Sequence, residues 1–178
     1  MATRETRKRP NILITGTPGT GKSTLAPKVA SNLNMEFIDI AGEIKKFNLY
    51  GEYDADYQCH VLDEDKLLDH LQERMDSDEG GIVIDYHACE FFPERWFDLV
   101  IVLRCDNTIL FDRLTERNYP EKKVRENVEC EIFGTILDEA KESYSQEIVH
   151  EFSNENHDQM AENVRKITEL ALKIKKKK

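Results

Sequence analysis

The segment Asn11-Ile12-Leu13-Ile14-Thr15-Gly16-Thr17-Pro18-Gly19-Thr20-Gly21-Lys22-Ser23-Thr24 decides the fold. A short apolar strand runs directly into G-x-x-x-x-G-K-S, the spacing of a phosphate-binding loop. The glycines let the backbone curl around a phosphate with its N–H groups pointing inward. A helix that starts at Gly21 would aim its N-terminal dipole and free amides at the same anion. In that arrangement Gly19, Gly21, Lys22, Ser23 and Thr24 are the nucleotide-binding candidates. Lys22 reaches the β- and γ-phosphates, and the Ser23 hydroxyl is a ligand for Mg²⁺.

Working outward, strand and helix patterns alternate. After the helix to Leu33 comes a strand at 36–40, then a helix at about 42–47 and a polar loop from Tyr50 to His60 that carries Glu52, Asp54 and Asp56. Asp63 is placed to cap a helix with Leu67, Leu68, Leu71 and Met75 on its inner face. Ile82–Asp85 and Leu99–Leu103 are near-continuous apolar runs, as strands buried on both faces read. A helix at 107–117 leads to a basic loop, Arg117 to Arg125. One long helix follows, with Val124, Val128, Ile132, Ile136 and Ala140 along one side. Residues 147–152 form a possible fifth strand, and an amphipathic helix with Met160, Val164, Ile167, Ala171 and Ile174 closes the chain. Pro27 predicts a bend or an irregular early turn in the first helix. The expected architecture is α/β, a five-stranded parallel sheet with helices on both faces, in one domain spanning 1–178.

In such sheets ligands sit beyond the carboxyl ends of the strands. Asp85 ends a buried strand there and is the candidate acid for Mg²⁺, in part through water; capping of the following turn is the plainer reading. His87 is a candidate for orienting a water or a phosphate, set against an ordinary hydrogen-bonded loop histidine. Arg113, Arg117, Lys122 and Lys123 could form a cationic lid over the transferring phosphoryl group, set against a solvated helix end. Arg95 and Trp96 could offer a platform for a second nucleotide, with core packing the preferred role for Trp96.

Composition narrows the class. The 178 residues hold 34% charged and 39% apolar side chains, a globular balance, and the net charge of −10 argues against general affinity for nucleic acid. The ends run the other way: Arg4 to Arg9 and Lys173 to Lys178 are basic. Such runs read as solvated tails (1–9 and 173–178), with nuclear import or RNA contact as the sharper alternative; direct nucleic-acid binding stays open. The longest apolar runs are strand-sized, so no membrane span is expected. Cys59, Cys89, Cys105 and Cys130 lack C-x-x-C spacing, which favours reduced thiols over disulfides or structural zinc.

Four segments carry a resemblance: 10–19, with Pro10 before the strand and loop; Leu62-Asp63-Glu64-Asp65; Asp85-Tyr86-His87-Ala88-Cys89-Glu90-Phe91-Phe92-Pro93-Glu94-Arg95-Trp96-Phe97; and Cys130-Glu131-Ile132-Phe133. From about Pro10 to about Phe152 the chain resembles the adenylate kinase isoenzyme 6 family, also called coilin-interacting nuclear ATPase proteins. The D-Y-H…F-F-P-E-R-W block is the specific part. The resemblance implies a nucleoside monophosphate kinase fold with a monophosphate-binding region at about 39–62 and a short lid at about 116–126. It implies the reaction ATP plus AMP giving two ADP with Mg²⁺, a slow ATPase activity, and a catalytic set of Lys22, Asp85, His87 and Arg117. It also implies a role in small ribosomal subunit maturation, through a small-subunit ribosomal protein and the pre-small-subunit particle, in nucleus and cytoplasm. Where other adenylate kinases carry an arginine in the monophosphate region, this chain has Lys45 or Lys46. Lysine lacks arginine's bidentate grip, which predicts weaker AMP binding.

Overall fold

The computed structural model describes residues 4–55 and 59–176. Five strands make the central sheet: β1 (Ile12–Thr15), β2 (Glu36–Asp39), β5 (Ile82–Asp85), β6 (Leu99–Arg104) and β7 (Val149–Ser153). Their order is β2-β5-β1-β6-β7, and every pairing in it is parallel. The α/β expectation and all five strands hold; the three inner strands, covered on both faces, announce themselves as near-continuous apolar runs, while the edge strands β2 and β7 mix apolar and polar residues. Leu13, Ile38, Ile84, Val100 and Val102 face α2 (Ile40–Phe47), α3 (Glu64–Met75) and α6 (Thr135–Ser143). Ile12, Ile14, Val83, Leu99, Ile101 and Leu103 face α1 (Lys22–Leu33) and α7 (His157–Lys176). At about 1.5–3 kcal/mol for each fully buried Leu, Ile or Val, these two layers dominate the favourable side of folding. Asp63 does cap α3, accepting from the Lys66 amide at 3.1 Å.

Several local expectations change. The polar loop at 50–60 is a hairpin, β3 (Tyr50–Asp54) against β4 (Cys59–Leu62), antiparallel and separate from the main sheet; Asp56 lies outside the described residues. The basic loop is short: α4 (Asn107–Glu116) ends just before Arg117, and α5 (Glu121–Phe133) already contains Lys122, Lys123 and Arg125. The long helix after it is two helices. Gly134, at φ 68°, ends α5 and starts α6, so Ile132 and Phe133 turn outward at 57% and 76% exposure. By contrast α1 runs unbroken through Pro27, with irregularity confined to its first turn, where the Gly21 carbonyl accepts from both Thr24 and Leu25 amides.

The basic N-terminus is no solvated tail. Arg7 is fully buried and donates to Asp98 at 2.6 Å and to the Arg95 carbonyl at 2.8 Å. Arg4 pairs with Glu94, Lys8 with Glu79, and Arg9 caps the end of α1 through the Leu33 and Asn34 carbonyls. Trp96 is 1% exposed in the core, its indole N–H donating to Asp76, which also pairs with Arg95. Neither residue forms a nucleotide platform. Lys177 and Lys178 of the second basic run lie outside the described residues.

Candidate active site

The sheet's carboxyl ends and the loop after β1 enclose a cavity of about 400 Å³. Gly19, Gly21, Lys22, Ser23, Thr24, Asp85, His87 and Arg117, drawn from three separate parts of the sequence, all line it. The loop's shape depends on its glycines. Gly16 sits at φ 143°, where a Cβ would fall 2.6 Å from the Leu103 carbonyl oxygen. Gly21, at φ 95°, directly precedes α1, so the first free amides of the helix face the cavity.

Lys22 is buried and donates to the carbonyls of Gly16 at 2.6 Å and Thr17 at 3.1 Å. Burial lowers its pKa to about 8; Asp85 and Glu131 oppose the drop and Arg117 adds to it. Asp85, 4% exposed, is raised by burial, against a hydrogen bond from the Ser23 hydroxyl. Asp39, its register partner on β2, lines the same cavity and raises it further. Ser23 hydroxyl with two carboxylates is an all-oxygen donor set, the hard chemistry that suits Mg²⁺. The residues present therefore fit the metal. His87 lies at the cavity wall with its ring 4.3 Å from that of Tyr86. Partial desolvation, then the neighbouring Lys22, push its pKa below the usual value, so the imidazole is neutral at pH 7 even though the residue is open to solvent.

The expected lid cations part company. Arg117 and Lys123 line the cavity, together with Tyr119 and Asn127. Lys123 lies over the Tyr119 ring at 4.3 Å. Lys122 is turned to Glu126 at 3.9 Å. Arg113 is not a lid residue: its guanidinium donates to the carbonyls of Gly19 (3.1 Å), Asn154 (3.1 Å) and Glu155 (2.7 Å) and so ties the phosphate loop to the turn before α7. Lys45 and Lys46 are exposed on α2 and outside the cavity lining; Lys46 rests 5.0 Å from the Phe47 ring.

Sequence reasoning missed the braces behind the loop. Glu131, 3% exposed on α5, accepts from the Thr17 hydroxyl at 2.6 Å. Asn154 donates to the Thr20 carbonyl at 2.8 Å. A readable trace of the first existed: Lys123, Asn127 and Glu131 fall at four-residue spacing, one face of a helix. A second hollow of about 430 Å³ also went unread. It shares Gly19, Gly21, Thr24 and Arg117 with the first and is closed by Glu155, Asn156, His157 and Met160.

Comparison with known proteins agrees with this architecture. A family model described as an AAA domain matches residues 12–134. The chain is 62% identical over 175 residues to an adenylate kinase isoenzyme 6 homolog from Caenorhabditis elegans, covering 98% of this chain and 96% of that one. It is 54% identical over 155 residues to the homolog from Drosophila melanogaster, with 87% of each chain covered. Among solved structures, shikimate kinase from Acinetobacter baumannii in complex with shikimate superposes with a TM-score of 0.62 over 97% of this chain and 98% of that one; at 20% identity this likeness shows the fold alone. With a P-loop kinase fold, a phosphate loop flanked by Asp85, and relatives matched along nearly their whole length, the chain belongs to the adenylate kinase isoenzyme 6 family.

Proposed function

We propose that this protein transfers the γ-phosphoryl group of ATP to AMP, giving two ADP, with slow ATP hydrolysis when no acceptor is bound. The observation that carries the reading is the single cavity in which the phosphate loop, Asp85 and the Arg117–Lys123 corner face one space that continues to Asp39 and Ala41 at the start of α2. A donor triphosphate on the loop leaves room on the α2 side for an acceptor. The second hollow, behind Arg117, offers the donor's base a place next to the same loop.

No side chain here serves as a covalent nucleophile, so catalysis is positioning and electrostatics. Lys22 would set its ammonium against the β- and γ-phosphates, exchanging its carbonyl partners for phosphate oxygens. The loop amides and the start of α1 hold the chain of phosphates in line. Arg117 and Lys123 stabilise charge that spreads over the moving group. Ser23 and Asp85 would hold Mg²⁺, with Asp39 close by; when bound, the ion neutralises phosphate charge and fixes phosphate geometry. Neutral His87 can donate a hydrogen bond to a phosphate oxygen or a water.

Purified protein with ATP, AMP and Mg²⁺ should form ADP far faster than with ATP alone. An ADP rate indifferent to AMP would sink the kinase reading and leave a nucleotide-driven ATPase. A preference for the hydroxyl of a small metabolite over AMP in a substrate panel would point to another acceptor class.

A second reading, compatible with the first, is service in small ribosomal subunit maturation, in nucleus and cytoplasm, with nucleotide state switching the grip on a small-subunit ribosomal protein. The names of the relatives support the family, and the net charge of −10 suits a basic client. Pull-down from cell extract in ATP-loaded and ADP-loaded states should recover a small-subunit ribosomal protein; recovery of none in either state removes this reading.

A further inference from the structure

We propose that Glu131 is a positioning residue that registers α5, and with it Lys123 and Asn127, to the phosphate loop through Thr17. Its carboxylate is 3% exposed and takes three donors from separate places. The Thr17 hydroxyl reaches Oε2 at 2.6 Å, while Arg104 Nε at 2.7 Å and the Cys105 amide at 3.0 Å reach Oε1. Arg104 also returns to the Glu131 main-chain carbonyl at 2.9 Å. A carboxylate is costly to bury unless it is fully partnered, and this one is partnered by the phosphate loop itself and by the end of β6.

The contact to Thr17 joins the cation of the loop, Lys22, to the cation of the helix, Lys123. On the loop side, the Thr17 carbonyl accepts from Lys22 at 3.1 Å and from the Thr20 hydroxyl at 2.8 Å, so the residue pinned by Glu131 also holds Lys22. On the helix side, Asn127 and Lys123 follow at four-residue intervals on the same face and line the cavity. Eight residues of helix span about 12 Å, so α5 acts as a rod pinned at the loop, with Lys123 at the cavity at the far end. A loose pin would leave both Lys22 and Lys123 chemically intact but out of register with each other. Arg104 and the Cys105 amide both bind Oε1, so Thr17 is the one donor to Oε2 among the described residues, and its bond is what the positioning role requires.

The kinetic half of the test rests on the phosphoryl-transfer reading; the exchange half does not. Thr17→Val removes the one hydroxyl and leaves the other partners of Glu131, while Thr17→Ser restores it. Thr17→Ala is the second variant if valine does not fit. In the full chain, Thr17→Val should lower kcat for ADP formation about tenfold, with the dissociation constant of a fluorescent ATP analogue changed within about threefold, and Thr17→Ser should recover the wild-type kcat. A non-hydrolysable ATP analogue should slow amide exchange across Glu121–Phe133 in wild type and in Thr17→Ser, but not in Thr17→Val or Thr17→Ala. Equal protection of α5 in all variants, or a Thr17→Ser protein as impaired as Thr17→Val, overturns the proposal. A wild-type protein that makes no ADP from ATP and AMP overturns the proposed reaction instead, and the exchange comparison still decides the pin.

Discussion

Lys22 links the acid–base state of the site to its ligand. Burial holds its pKa near 8, and phosphate oxygens brought to its Nζ would stabilise the ammonium and raise it again. The sign follows: at pH 8.5 the free protein has lost much of this proton, and the ATP complex regains it. Binding should therefore take up a fraction of a proton at pH 8.5 and close to none at pH 7, read by calorimetry in two buffers of different ionisation enthalpy. Lys22→Met should lower kcat by about 10²–10³-fold, the usual loss for one preorganised charge on a transition state. Its melting temperature should stay level or rise, because a buried ammonium is replaced by an apolar chain of similar length. A large fall in melting temperature would make Lys22 structural instead. The residues between Gly16 and Thr24 were legible in the sequence because loop, lysine and serine are consecutive. Glu131 was not, since its bond to Thr17 spans 114 residues.

At the scale of elements, what the sequence hid was pairing and interruption. Arg4 to Arg9 read as a solvated run because the acids that fix it, Glu79, Glu94 and Asp98, lie far along the chain. Arg7 is effectively a core residue, so Arg7→Met should cost about 3 kcal/mol by urea denaturation, since Asp98 would keep the Asn11 amide at 2.8 Å but lose its buried cation. The kcat of the folded fraction should not change, because the pair lies at the end of the sheet opposite the phosphate loop. The stripe from Val124 to Ala140 read as one helix because Gly134 interrupts it without disturbing the four-residue apolar spacing. Gly134→Ala should cost about 1 kcal/mol by the same measurement, the strain of a Cβ in the left-handed region, where the nearest foreign atom lies 3.6 Å away and steric clash adds little. The hairpin Tyr50–Leu62 was unreadable for a different reason. Glu52 and Asp54 disfavour strands by propensity, and Tyr53 and Val61, at 57% and 51% exposure, give no buried face to alternate against. The three inner strands, β5, β1 and β6, were readable because burial on both faces leaves few alternatives to an apolar run.

Across the whole molecule, the phosphate loop is the shared wall of two hollows, and its outer side is braced by α4 through Arg113, by α5 through Glu131 and by the turn before α7 through Asn154. The braces come from the half of the chain beyond β6, whereas the acceptor side, with α2 and the β3–β4 hairpin, has no such tie to the loop among the hydrogen bonds of the described residues. Donor and acceptor halves should then differ in stiffness. A mimic of both substrates, two adenosines joined by a polyphosphate, tests this directly. Bound with Mg²⁺, it should slow amide exchange most in α2, in Tyr50–Asp54 and in the stretch from Arg117 to Lys123. The amides of β1, β5 and β6, already buried between two apolar layers, should change little. ATP alone should protect the Arg117–Lys123 stretch and leave α2 and the hairpin exchanging as in the free protein. If ATP alone protects both regions equally, the hairpin side answers to the donor, and the division of the cavity into donor and acceptor halves is wrong. If the mimic protects neither, the 400 Å³ cavity does not hold two nucleotides, and hydrolysis without an AMP acceptor becomes the better account of the chemistry.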